Sequence, residues 1–212
     1  MRLCGHAARV TLAELILICI ILLVVAALVI PNWAASRRQD AEARAQAALK
    51  RIVSAEGEWR QSDFDRNGCQ DYWTLDIAGM RWVQQPDGSP CAAIDVDTAA
   101  MDAAPAATYP GLLSRGDVGG YAAIAMALDE NKSPYVEPVL APMTAAPLSG
   151  RVATSTSKYG FCAYPTGSIG SAAIQFIVNE EGVVYRSDAT GPAPVITWPA
   201  AWPLPPPWRA AD

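Results

Sequence analysis

The stretch VTLAELILICIILLVVAALVIPNW, Val10 to Trp33, decides the fold because it is apolar and long enough to cross a bilayer as a helix. Sixteen consecutive apolar residues run from Leu15 to Ile30. Such a run is a membrane span or a secretory signal, and Ala34 to Ser36 are typical of a signal cleavage site. Strong helix formers continue through that site without a breaker before Gly57, which favours the span.

The same run carries a carboxylate, Glu14, and a proline, Pro31. A carboxylate in hydrocarbon is costly unless it is paired, so Glu14 is a functional candidate. The alternative is that Glu14 only snorkels to the interface of a signal anchor. Pro31 removes one helical hydrogen bond, and it bends the axis if the helix continues through it.

This pattern resembles the N-terminus of type IV pilins and of the pseudopilins of type II secretion. Thr11, Leu12, Glu14 and Leu15 precede the apolar run, and Pro31 follows the glutamate at the spacing of that family. The resemblance implies that Glu14 pairs with the freed amine of a neighbouring subunit and sets the register of a filament. It also implies that the helix bends or melts at Pro31 during packing.

The processing site departs from that family. Family members are cut after a glycine, and Arg9 stands at this place, with Val10 where an aromatic residue is usual. Arg9 and Val10 are therefore an atypical cut site. An uncut chain would remain a fixed anchor.

The helix is predicted to continue from about Thr11 to about Gln61. Apolar residues recur at steps of three and four and draw one stripe along its second half. The stripe consists of Ala41, Ala45, Ala48, Ile52, Ala55 and Trp59. The opposite face is charged, and Glu56 and Arg60 have the spacing of a surface ion pair.

The head that follows opens with an acidic turn. Oxygen-bearing residues alternate there as in a calcium loop, and Gly68 stands where such a loop turns. The candidate ligands are Asp63, Asp65, Asn67, Cys69 through its carbonyl, and Asp71. Thr74 occupies the place of the bidentate glutamate, so a complete EF-hand is absent. The prediction is a Ca²⁺ turn, and the alternative is a metal-free turn rich in Asp and Asn.

Three of the five cysteines lie in the head. An extracytoplasmic head favours one disulfide, and Cys69 with Cys91 is the most local pair. Three buried, reduced thiols are the alternative.

The remaining patterns predict an α+β fold, with the long helix packed on a small antiparallel sheet. The stretch from Asp71 to Val83 alternates like a strand or a bent pair of strands, Tyr121 to Leu128 resembles a short helix, and Gly182 is placed to close a hairpin. The tail, rich in Pro and Trp, is predicted to strap onto its own domain. The strand that begins near Asp71 and the hairpin closed by Gly182 resemble segments of bacterial pilin-like ectodomains of unassigned function.

The predicted organisation is a cytoplasmic leader (1–9), a transmembrane half-helix (10–33), its amphipathic continuation (34–62), a head (63–191) and a tail (192–212). A net charge of −5 without a basic stripe argues against nucleic acid. The single histidine, His6, precedes the span, which excludes histidine-dependent catalysis in the head.

We expect no enzyme. We expect a single-pass subunit of the cytoplasmic (inner) membrane with an extracytoplasmic head, whose partners are itself or other pilin-like subunits. The alternative is a non-polymerising, signal-anchored binding module.

Overall fold

A computed structural model describes residues 11–65, 68–85, 87–109, 111–112, 116–137, 154–167, 174–188, 193–200 and 204–211. The chain divides into two compact units, Met1–Gln39 and Asp40–Asp212. The second unit holds the whole of the sheet.

The long helix α1 spans Leu12–Ser62 and contains 51 residues. It begins and ends within one residue of the predicted limits, so the prediction of a single long helix is confirmed. Pro31 lies inside it, because the surrounding residues favour the helix strongly enough to absorb one missing hydrogen bond. Asp63 ends the helix in the left-handed region, with φ 44°.

The second half of α1 buries one stripe, as the spacing predicts. All six residues of the predicted stripe are buried, and Leu49 and Glu56 are buried with them. The stripe belongs to a hydrophobic core that includes Phe161 and Phe176 of the sheet. The rings of Trp59 and Trp73 pack with their centroids 4.8 Å apart. This half of the helix therefore forms one wall of the core of the head.

Among its described residues, the head contains seven strands and two short helices. The strands are β1 Tyr72–Trp73, β2 Tyr121–Ala125, β3 Thr154–Ser155, β4 Gly160–Pro165, β5 Gln175–Asn179, β6 Tyr185–Ser187 and β7 Trp208–Ala210, and the helices are α2 Gly79–Trp82 and α3 Val96–Ala100. Five strands form an antiparallel sheet in the order β2-β4-β5-β6-β7, and β1 pairs with β3. The predicted α+β fold is confirmed.

The predicted hairpin is β5 and β6. The two strands pair antiparallel, with Ile177 opposite Tyr185. Gly182 closes the turn at φ 73° and donates its N–H to the carbonyl of Asn179 at 2.9 Å. A residue with a side chain would be strained at this φ, which explains the glycine.

Two local predictions were wrong. Tyr121 to Leu128 resembles a helix in composition, yet it contains β2, because pairing along β4 and burial outweigh the helix propensity of alanine. The stretch after β1 turns into α2 and does not extend as a strand, since the carboxylate of Asp102 accepts from the N–H groups of Ile77 and Ala78 at 2.8 Å each. Strand β4 and Asp102 both lie far along the chain from the segments that they bind.

The C-terminal tail covers the other face of the sheet. Trp198 is buried and lies edge-on to Tyr185, with the ring centroids 6.2 Å apart. Trp208 begins β7, the edge strand that pairs with β6. The prediction that the tail packs on its own domain is confirmed at these two positions, and Trp202 lies outside the described residues.

Candidate functional site

The first half of α1 is apolar and exposed on all sides. Within the described part of the chain, α1 is the one helix long and apolar enough to cross a membrane. Residues 12–33 would extend about 33 Å at the rise of an α-helix, and the hydrocarbon core of a bilayer is about 30 Å thick. Exposed apolar surface on this scale is typical of a membrane or subunit contact.

Glu14 lies at the start of this half, and each of Glu14 and Thr11 donates a hydrogen bond to the other and accepts one from it. Its Oε2 accepts from the backbone N–H and from the hydroxyl of Thr11, at 2.8 Å each. The N–H of Glu14 donates to Oγ1 of Thr11 at 3.3 Å. This reciprocal pair is a capping box, which satisfies polar groups at the helix start. The Thr-x-x-Glu spacing is its sequence signature, which the sequence analysis missed.

The predicted processing residues cannot be placed beside Glu14. Arg9 and Val10 lie outside the described residues. The cut site, and the pairing of Glu14 with a neighbouring amine, therefore stay predictions.

Trp33 and Arg37 form a pair at the far end of the apolar half. The guanidinium carbon of Arg37 lies 3.8 Å from the centroid of the Trp33 ring, a cation–π contact. The two residues are one helical turn apart, so their side chains lie on the same face. The i,i+4 spacing of an aromatic residue and an arginine is the signal from which this pair can be found.

The acidic turn is closed by a hydrogen bond between the side chain of Asp63 and the backbone of Gly68. Oδ2 of Asp63 accepts from the N–H of Gly68 at 3.1 Å, and Gly68 has φ 79°. Asp65 and Asp71 are buried, whereas Asn67 lies outside the described residues. Among the residues that are described, no three His, Cys, Asp or Glu side chains form a group that could hold a metal ion. The metal-free alternative accounts for this geometry, and calcium stays a prediction.

Glu56 connects α1 to the residues that follow the turn. Its side chain is fully buried, and Oε2 accepts from the N–H of Trp73 at 2.8 Å. Burial raises the pKa of Glu56 well above its usual value, the hydrogen bond from Trp73 lowers it, and the nearby charge of Asp71 raises it further. The predicted surface pair with Arg60 is wrong, because Arg60 donates to the hydroxyl of Tyr72 at 2.7 Å.

Two further buried carboxylates fix the loops around α2. Asp76 accepts from the hydroxyl of Tyr109 at 2.6 Å and from the N–H of Gly79 at 2.8 Å. Asp102 caps the approach to α2, and burial together with the charge of Asp76 raises its pKa to about 6. These carboxylates accept from backbone N–H groups and from the hydroxyl of Tyr109, which is a structural role.

The predicted disulfide between Cys69 and Cys91 is not formed. Cys91 is a free thiol that packs in the hydrophobic core, and burial raises its pKa to about 12. Its backbone N–H donates to the carbonyl of Val83 at 2.9 Å, so a backbone contact closes the loop before it. Cys162 is also a free and buried thiol, whereas Cys69 is half-buried, so the alternative of three buried thiols is not met at Cys69.

Comparison with known proteins gives no relative. No protein-family model, no curated protein and no solved structure matches the chain.

Proposed function

We propose that the chain is a pilin-like or pseudopilin-like structural subunit. One pass of α1 anchors it in the cytoplasmic (inner) membrane, the head lies outside the cytoplasm, and subunits assemble through the first half of the helix. The observation that carries the proposal is the exposed apolar half of α1, which begins with a carboxylate held at the helix start. Apolar anchors rarely place a carboxylate there, because its transfer into lipid is costly.

The capping box gives Glu14 the fixed position that assembly through its carboxylate requires. It holds the carboxylate within the first turn of α1. A chain processed before Val10 would carry its amine about 6 Å from this carboxylate along the axis. Parallel helices displaced by about one turn would then bring the amine of one subunit to Glu14 of the next, pairing both charges in a low dielectric.

A second candidate is a fixed, non-polymerising anchor that displays a binding module. The same capping box favours it, because Thr11 gives Glu14 a partner within one chain. In this case Glu14 starts the helix and takes no part in contacts between subunits.

Two substitutions separate these candidates. Glu14→Gln keeps an acceptor for the capping box but removes the charge, whereas Thr11→Val weakens the box and keeps the charge. Under the subunit proposal, Glu14→Gln lowers the crosslinked fraction in isolated membranes about tenfold or more, since a charged hydrogen bond is lost. Thr11→Val leaves most of the crosslinking intact.

Glu58→Gln is the matched control, because Glu58 is exposed on the second half of α1. All variants are expected to remain in the membrane fraction, since the apolar surface is unchanged. Wild-type crosslinking in Glu14→Gln would contradict assembly through this carboxylate and favour the fixed anchor.

A further inference from the structure

The end of the apolar half of α1 has the geometry of a lipid head-group contact. From Leu15 to Trp33 the helix rises about 28 Å, close to the thickness of the hydrocarbon core. Tryptophan is enriched at this depth, where its ring lies between acyl chains and head groups. Trp33 is 56% exposed, so its ring is open to lipid.

Arg37 lies one turn beyond Trp33, so a helix with Trp33 at the interface carries Arg37 to the level of the phosphates. Its guanidinium stacks on the Trp33 ring, 3.8 Å from the centroid. The guanidinium contacts the ring with its flat face. Its N–H groups point outward in the plane, and an arginine binds a phosphate through these N–H groups. Arg37 is exposed, and the sequence contains no acidic residue between Glu14 and Asp40.

We propose that Trp33 and Arg37 form a binding site for the phosphate of an anionic phospholipid. The ring sets the depth of the helix, and the stacked guanidinium holds one phosphate at the surface of the bilayer. This inference rests on the proposed membrane anchoring.

The test uses the full chain in detergent micelles with equal amounts of phosphatidylglycerol and phosphatidylcholine. Native mass spectrometry counts the lipids that each protein retains. We expect a preference for phosphatidylglycerol of about fivefold, the amount that one arginine near an anionic surface contributes. Arg37→Gln abolishes this preference, and Trp33→Leu, which keeps an apolar side chain, lowers it about twofold through loss of the cation–π contact.

Lys50→Gln is the matched control, because Lys50 is an exposed cation of the second unit. An unchanged preference in Arg37→Gln, or an equal loss in Lys50→Gln, overturns the inference. Flotation with liposomes of phosphatidylcholine alone tests the anchoring separately. A chain that does not float contradicts the proposed anchoring, and a chain that floats without preferring phosphatidylglycerol contradicts the head-group site alone.

Discussion

Glu56 is a buried carboxylate where α1 meets β1. It accepts one hydrogen bond, from the N–H of Trp73, and its Oε1 has no hydrogen-bond partner within the described part of the chain. Loss of water raises its pKa, and Asp71 adds like charge. The folded head is therefore more stable when the carboxyl group of Glu56 is protonated than when it is ionised.

The pH dependence of folding follows from this shift. Because the folded pKa of Glu56 is raised, its contribution to stability is fully present below the unfolded value of 4.5 and is lost as the pH rises through the folded pKa. Glu56→Gln keeps the acceptor for Trp73 and removes the ionisation. We expect it to stabilise the head at pH 8 more than at pH 5, because only at the higher pH does the wild-type carboxyl group lose its stabilising proton. Denaturant unfolding followed by tryptophan fluorescence measures this.

Glu58→Gln again serves as the control, since Glu58 lies on the same helix and is exposed. It should leave the pH profile unchanged. A Glu56→Gln variant that loses stability equally at pH 5 and pH 8 would refute the ionisation argument.

Periodicity in the sequence predicts the face on which a residue lies, but only in part what it contacts. Glu56 follows Ala55 on the edge of the buried stripe, and its i,i+4 partner in sequence is Arg60. Burial against Trp73 depends on residues that fold over it from outside the helix. The capping box at Thr11 and Glu14 is local, so it was predictable from spacing alone.

At the scale of elements, the acidic turn connects the long helix to the first strand. Asp65 and Asp71 are buried close to the turn, and Asp63 holds it closed. Ca²⁺ at the turn would offset the repulsion between these carboxylates. A cation bound there would then stabilise the junction of α1 and β1.

If the turn binds Ca²⁺, a hundredfold excess of the ion over its Kd stabilises the head by about 2.7 kcal/mol. Asp65→Ala should remove most of this rise in Tm. Asp188→Ala should keep it, because Asp188 is exposed and pairs with Arg209 at 2.7 Å. Melting curves with Ca²⁺ and with chelator provide the measurement, and identical Tm values at millimolar Ca²⁺ would show that the turn binds none.

The accuracy of the element predictions depended on how local their causes are. Helix α1 and the β5–β6 hairpin follow from runs of apolar residues and from one glycine, so the sequence predicted both. β2 was missed because its strand state depends on β4, which lies far along the chain. Helix α2 was missed because Asp102, from a distant loop, binds the N–H groups of Ile77 and Ala78 that precede it.

At the scale of the whole molecule, processing decides between a subunit and a fixed anchor. Arg9 places a long cation where the peptidase of pilin-like proteins accommodates glycine. We expect Arg9→Gly to raise the fraction of chains that begin at Val10, in cells that contain this peptidase. The N-terminal residue of protein recovered from membranes, identified by mass spectrometry, gives this fraction.

Arg2→Gly is the control, because it removes the same charge elsewhere in the leader. Equal processing of wild type and Arg9→Gly would show that Arg9 is no obstacle. A start near Arg37 in the recovered protein would indicate an exported soluble protein and contradict anchoring.

The position of β7 determines when the head can fold during synthesis. The sheet gains its last strand from Trp208–Ala210, and Trp198 covers one of its faces. A ribosome delivers these residues long after α1, so the helix is complete while the sheet is still incomplete. During that interval Ile177 and Tyr185 lack the cover of Trp198, and the nascent head is open to chaperones and proteases.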